Sequence, residues 1–195
     1  FAPTGWETQR LGPHEVVPMP VARDQVSYRR RVGPARTFLH VSAPAFHDRN
    51  GTELVRAAVG RYSGPPIRLL VSGPDRPESP SRLGDVLVEP LGYQAAYGAL
   101  YEEADCLVLP RRYGGLSLVM QEALAAGMPV VTLARFPERD WGGVTTIPTT
   151  GARLEHMKGG EIPVWLGDPD RLAVKLARLA NRDLDALSAA ADAHA

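Results

Sequence analysis

The residues with the clearest chemical potential are a glycine pair, Gly114-Gly115, and a carboxylate eight positions after the first of them, Glu122. Two residues without side chains let a ligand approach the backbone closely, and the free amides of a following helical turn point at it. Added to the helix dipole, such amides suit a phosphate or pyrophosphate. Glu122 stands two residues after Met120 and so leaves the apolar face of its segment. A carboxylate there could accept hydrogen bonds from the vicinal hydroxyls of a ribose. The plainer alternative is a solvated glutamate beside an ordinary tight turn.

The surrounding pattern says which elements position these groups. Cys106-Leu107-Val108-Leu109 is an apolar run stopped by Pro110, which reads as a short strand buried on both faces. Arg111 to Gly115 form a polar turn, and from Ser117 to Ala126 the period becomes helical, with Leu116, Val119, Met120, Ala123 and Leu124 on one face. Gly127 stands where a helix wants a left-handed residue, Pro129 forbids continuation, and Val130 to Leu133 begin a second buried strand. Strand, glycine loop, helix and strand make one βαβ unit, so the sheet is parallel here. The glycine loop then lies at a strand's carboxyl end, where open α/β sheets bind ligands.

The run YGGLSLVMQEALAAGMPVV resembles the signature of the retaining, GT-B-fold glycosyltransferases called family 4. That signature reads Glu-Gly-Phe-Gly-Leu, three mostly apolar residues, then Glu-Ala-hydrophobic-Ala-small-Gly-x-Pro-Val-Val. The resemblance implies that Glu122 binds the ribose of a nucleotide sugar. It places the family's first glutamate, which binds hydroxyls of the donor sugar, at Gly114, a departure that leaves the identity of the sugar open. The amides of Gly114, Gly115 and Leu116 would then contact the donor's sugar and phosphates, and they are the catalytic candidates. The family also grips the diphosphate with an arginine and a lysine in the loop after its first strand. Here Gly51 is kept, but the lysine position is Asn50 and the arginine position falls near Ala45, so Arg49 is the nearest cation. Guanidinium geometry suits a diphosphate.

The rest of the chain fits a Rossmann-like, doubly wound parallel α/β sheet, one half of a GT-B fold. Residues 1–35, broken by Pro3, Pro13, Pro18, Pro20 and Pro34, read as an interdomain crossover or linker, with Glu15 to Val21 extended and Trp6 packed on a domain edge. Tyr28-Arg29-Arg30-Arg31 reads as a solvated loop in preference to a phosphate contact. Thr37 to Ser42 is the first strand and Thr52 to Tyr62 a helix with Thr52 as its N-cap. Ile67 to Gly73 is the second strand, residues 74–84 a loop, Val86 to Leu91 the third strand and Tyr93 to Glu103 a helix. Ser42 and Gly73, at strand exits, join Glu122 and Arg49 as donor-side candidates. Leu91 and Tyr93 are the base-side candidates that the resemblance implies. Phe136 to Gly160 carries one brief strand, Val144 to Pro148, before a final strand, Ile162 to Leu166. Asp168 or Asp170 caps a helix over Arg171 to Leu179, which closes the domain 36–182. Residues 183–195 form a C-terminal helix, amphipathic through Leu184, Leu187 and Ala191.

Charge balances at 22 basic against 22 acidic residues, so no global field favours nucleic acid or an anionic membrane. No apolar run approaches the roughly 18–20 residues of a membrane span, and no secretory segment opens the sequence. The single cysteine, Cys106, reads as a small buried hydrophobe in a reducing, cytoplasmic setting. His40 and His47 lack partners at metal-ligand spacing and read as structural or surface residues, so no metal site is expected. No cofactor is expected beyond a nucleoside-diphosphate sugar as donor substrate. The second strand lacks Gly-x-Gly-x-x-Gly, which argues against a dehydrogenase, and no Gly-x-Ser-x-Gly elbow supports a hydrolase. Beginning at Phe1, the chain is expected to be part of a longer protein whose missing amino-terminal domain supplies acceptor groups. The alternatives are a GT-B scaffold that has lost catalysis, or an epimerase acting on nucleotide sugars.

Overall fold

The computed structural model describes residues 21–44, 48–92, 94, 98–135, 138–157 and 160–194. Among them, seven strands form one sheet in the order β3-β4-β2-β1-β5-β6-β7. These are β1 (Thr37–Val41), β2 (Ile67–Ser72), β3 (Ser81–Leu83), β4 (Val86–Pro90), β5 (Cys106–Val108), β6 (Val130–Leu133) and β7 (Val144–Ile147). All neighbours pair in parallel except β3, which runs antiparallel to β4 at the edge. The doubly wound parallel sheet expected from the sequence is therefore the observed fold.

Two-residue periodicity sends successive side chains to opposite faces of the sheet, and both faces are covered. Phe38, Leu69, Val71, Cys106, Val108 and Val131 enter one core with helices α1 (Thr52–Val59) and α3 (Pro169–Leu179). Leu39, Leu70, Leu107 and Val130 enter the other, against helix α2 (Leu118–Ala125) and α4 (Asp185–His194). Helix α2 presents Met120, Ala123 and Leu124 inward, as its spacing predicts. It stops where Gly127 takes φ 69°, with the Gly127 amide donating to Leu124 and the Met128 amide to Ala123, a Schellman cap. Helix α3 starts at Pro169, and Asp168 caps it by accepting from the Asp170 amide at 2.8 Å.

Several expectations need correction. Helix α1 ends at Val59, and its N-cap residue is Gly51, not Thr52; the Thr52 amide donates instead to the Asp48 carboxylate at 2.6 Å. Residues 74–84 are not all loop, because β3 forms a hairpin with β4 around Gly84-Asp85, a two-residue turn whose glycine has φ 57°. In place of a helix over 93–103, the described part holds a 3₁₀ turn, Ala99–Tyr101. The segment 136–160 holds the expected strand as β7, but also the whole of an unexpected one, β8 (Thr149–Met157), which pairs antiparallel with β9 (Gly160–Gly167). Strand β8 offers no buried face along Thr149 to Leu154, so it lacks the hydrophobic alternation by which a strand is recognised.

The basic run is not a solvated loop throughout. Arg30 is exposed and pairs with Asp185, but Arg31 is only 2% exposed. Its guanidinium donates to the carbonyls of Ala126, Arg29 and Tyr101, capping the C-terminal end of α2, where carbonyls have no helical donor. Burial pushes the Arg31 pKa down to about 10. Residues 21–35 thus pack under α2, with Val26 in its core. Helix α4 docks on the same side: Gly143 lies so close to Ala191 that a side chain at 143 would have no room, and Ser188 donates to the Gly127 carbonyl at 2.6 Å. Trp6, Glu15 to Pro20, Ala45, His47 and Tyr93 lie outside the described residues.

Candidate functional site

The order of the sheet creates the site. From β1 the chain moves outward through β2 to β4, then returns to the other side of β1 as β5 and continues through β6 to β7. Strand order therefore reverses between β1 and β5, and the loops leaving their carboxyl ends part in opposite directions. A crevice at such a switch point is where open α/β sheets hold ligands. The β1 loop leads through Asp48 to Gly51 into α1, and the β5 loop runs from Leu109 to Ser117 into α2.

The two loops touch across the switch. Gly51 has φ 75°, and a Cβ there would lie 2.5 Å from the Pro110 carbonyl oxygen. The Arg112 amide donates to the Arg49 carbonyl at 2.9 Å, and the Arg112 guanidinium reaches Asp48 at 3.4 Å. Burial raises the pKa of Asp48, against the pull of its bonds to α1 amides and of Arg112. Beneath the loops, His40 bridges the Val108 carbonyl (2.8 Å) and the Thr52 hydroxyl (3.0 Å). It is buried and structural, and burial lowers its pKa to about 4, so the neutral ring is the native form. Cys106 is also wholly buried, and burial pushes its thiol pKa up, which suits packing and not nucleophilic chemistry.

Arg49 is brought beside the glycine loop although 65 residues separate it from Gly114. Its guanidinium lies 5.9 Å from the Tyr113 ring centre and about where a Cβ on Gly114 would meet it, at 2.8 Å. Arg49 is exposed and Gly115 is buried, with Gly114 and Leu116 half-buried at the mouth of the loop. Gly114 itself has φ 97°, a left-handed conformation that glycine adopts without strain. Ser117 takes an extended N-cap conformation with no side-chain cap; its carbonyl accepts from the Met120 amide, which leaves the amides of Leu118 and Val119 to other acceptors. Asn50, at the position of the family's lysine, uses its side-chain amide to donate to the Val41 carbonyl at 2.8 Å.

Glu122 is half-buried and accepts a hydrogen bond from the Tyr101 hydroxyl at 2.5 Å. Tyr101 is 2% exposed, so the carboxylate leans on a rigid ring from the segment that follows β4. The other candidates fall at strand exits with their polar groups engaged. The Ser42 hydroxyl donates to the Ser72 carbonyl and accepts from the Asp75 amide, and Gly73 (φ 99°) fits directly against it. The Leu91 amide donates to Val71 at 2.8 Å, and its side chain is in the core.

Sequence reasoning passed over three charged residues at the loop. Arg111 donates to the Gly115 carbonyl at 2.7 Å, Arg135 donates to the Gly114 carbonyl at 2.5 Å, and Glu138 pairs with both guanidinium groups at 3.6 and 2.6 Å. Their side chains are all but inaccessible, at 2%, 2% and 0%. The available signal was position: Arg111 and Arg135 each follow a buried apolar strand almost directly, where a charge persists only with a specific partner. Among the described residues, no three His, Cys, Asp or Glu side chains gather as a metal site would need, and no helix is long and apolar enough to cross a membrane.

A doubly wound half-fold with a glycine loop at its switch point defines a Rossmann-like α/β class of domain. The family model "Glycosyl transferases group 1" matches residues 35–182, and the chain belongs to that family. Similar solved structures carry the GT-B fold. Sucrose-phosphate synthase from Thermosynechococcus elongatus aligns with TM-score 0.60 at 18% identity, over 97% of this chain and 51% of its own. The lipopolysaccharide outer core galactosyltransferase WaaB aligns with TM-score 0.58 at 16% identity, over 97% of this chain and 55% of its own. A mutant of S. aureus TarM, solved with Fondaparinux, α-GlcNAc-glycerol and UDP, aligns with TM-score 0.58 at 15% identity, over 95% and 37%. The chain thus spans between about a third and just over half of these proteins. No curated protein sequence matches it.

Proposed function

We propose that this chain is the nucleotide-sugar-binding half of a retaining glycosyltransferase, moving a sugar from a nucleoside-diphosphate sugar to an acceptor. The observation that carries the reading is the meeting of Arg49, the Gly114–Leu116 backbone and the uncapped start of α2 at the point where strand order reverses. The diphosphate lies on those amides beside Arg49, and the ribose hydroxyls donate to Glu122, held by Tyr101. When the bond from the anomeric carbon to the diphosphate oxygen breaks, its electron pair leaves with the diphosphate. Fixed amides, the helix dipole and a guanidinium then stabilise the added charge without a metal ion. The acceptor attacks the face the leaving group vacates, which retains configuration. Acceptor contacts come from an amino-terminal domain of a longer chain, so residues 1–195 alone bind donor but transfer nothing. The UDP in the TarM complex supports a nucleotide in this kind of fold.

Calorimetry with UDP-, GDP- and ADP-sugars tests the reading. One donor should bind saturably, and Glu122→Ala should weaken it at least about tenfold, the loss of a hydrogen-bonded carboxylate. Absence of saturable heat with every donor, or an unaltered Glu122→Ala variant, refutes it.

A further inference from the structure

We infer that Arg111, Arg135 and Glu138 are positioning residues that aim the amides of the glycine loop. The inference rests on the donor-binding reading above and adds the device that orients its backbone. In a trans peptide the carbonyl and the N–H point in opposite directions. The Gly114 carbonyl is held by Arg135 and the Gly115 carbonyl by Arg111, both guanidinium groups lying inside the protein. The N–H groups of the same two peptide planes, belonging to Gly115 and Leu116, must therefore point away from the buried cluster. Neither finds a backbone acceptor among the described residues.

Glu138 makes the arrangement rigid. One of its oxygens pairs with both guanidinium groups, and its side chain is fully enclosed, so the two arginines cannot turn independently. Glycine at 114 and 115 would otherwise leave the loop free to rotate its peptide planes, since no side chain restrains them. The cluster removes that freedom. Two cations on two carbonyls also polarise the attached amides, and a charge-assisted bond is about twice as strong as a neutral one.

The test compares the isotope-labelled wild type with Arg135→Met, Arg135→Lys and Glu138→Gln. Amide resonances and hydrogen exchange of Gly115 and Leu116 are read without ligand. Affinities for UDP, GDP and ADP are then read against uridine, guanosine and adenosine. Arg135→Met should shift both amides, speed their exchange and weaken the bound diphosphate at least about tenfold, with its nucleoside changed less than about twofold. Arg135→Lys should recover part of that loss. Amides that stay in place, or diphosphate and nucleoside affinities that fall in parallel, overturn the inference. Should Arg135→Met not fold, the wild type still decides: slowly exchanging guanidinium protons coupled to the Gly114 and Gly115 carbonyls support the anchoring, and their absence overturns it. If the wild type binds no nucleoside diphosphate, the donor-binding reading fails, and the anchoring stands or falls on the amide spectra alone.

Discussion

His40 links the stability of the switch point to pH. Its ring is 1% exposed and bridges β5 to the first residue of α1 through Val108 and Thr52. Burial outweighs the carbonyl bond to Val108, and the pKa falls from 6.5 to about 4. Above pH 6.5 the ring is neutral in both folded and unfolded chains, so its full contribution is present. As pH falls from there towards about 4, the unfolded chain takes up a proton that the native ring refuses, and stability is lost. Each pH unit separating the folded from the unfolded pKa is worth about 1.36 kcal/mol. The loss by acid pH is therefore roughly 3 kcal/mol, a large part of the roughly 5–15 kcal/mol that holds a typical domain. Urea unfolding near neutral pH and near pH 4 measures it, for wild type and for His40→Asn. The variant keeps a donor for Val108 and cannot titrate. Carboxylates contribute equally to both proteins, so the difference between the two pH dependences isolates His40. Wild type should lose roughly 3 kcal/mol more than the variant. Profiles that run parallel within about 0.5 kcal/mol refute the buried neutral ring.

Gly51→Ala should cost roughly 2–4 kcal/mol, about 1–2 from the left-handed backbone and the rest from a methyl group forced against Pro110. Gly84→Ala, also at positive φ but in open surroundings, should cost only about 1 kcal/mol; equal melting points for the two variants go against contact between the loops. Tyr101→Phe removes a donor to the Glu122 carboxylate and should lower stability by about 1–3 kcal/mol. It should also weaken nucleotide-sugar and nucleoside binding together, because Glu122 serves the ribose; calorimetric affinities equal to wild type contradict that role.

Much of the frame was legible in the residues because it is local. An apolar run ended by Pro110, a helical period closed by Gly127 and Pro129, and Asp168 ahead of Pro169 each encode an element through its own backbone needs, and each element is there. Strand β9 was legible at Ile162 to Leu166, but its partner β8 was not, since a strand that buries no face carries no period to read. The turn at Gly84-Asp85 left a signal that went unread, and Arg31 was masked by its place in a run of charges.

The candidate site divides the same way. Sequence alone determined the glycine loop, the helix behind it and the carboxylate at Glu122, because their spacing is set within one βαβ unit. The resemblance had already pointed to Arg49, but only the tertiary structure decided which charges stand with it at that loop. Arg49 arrives from the β1 loop, Glu138 from beyond β6, and Tyr101 from the crossing before β5. Strand order brings them together, and strand order is settled by how two cores close on both faces of the sheet. No short window of residues contains that information.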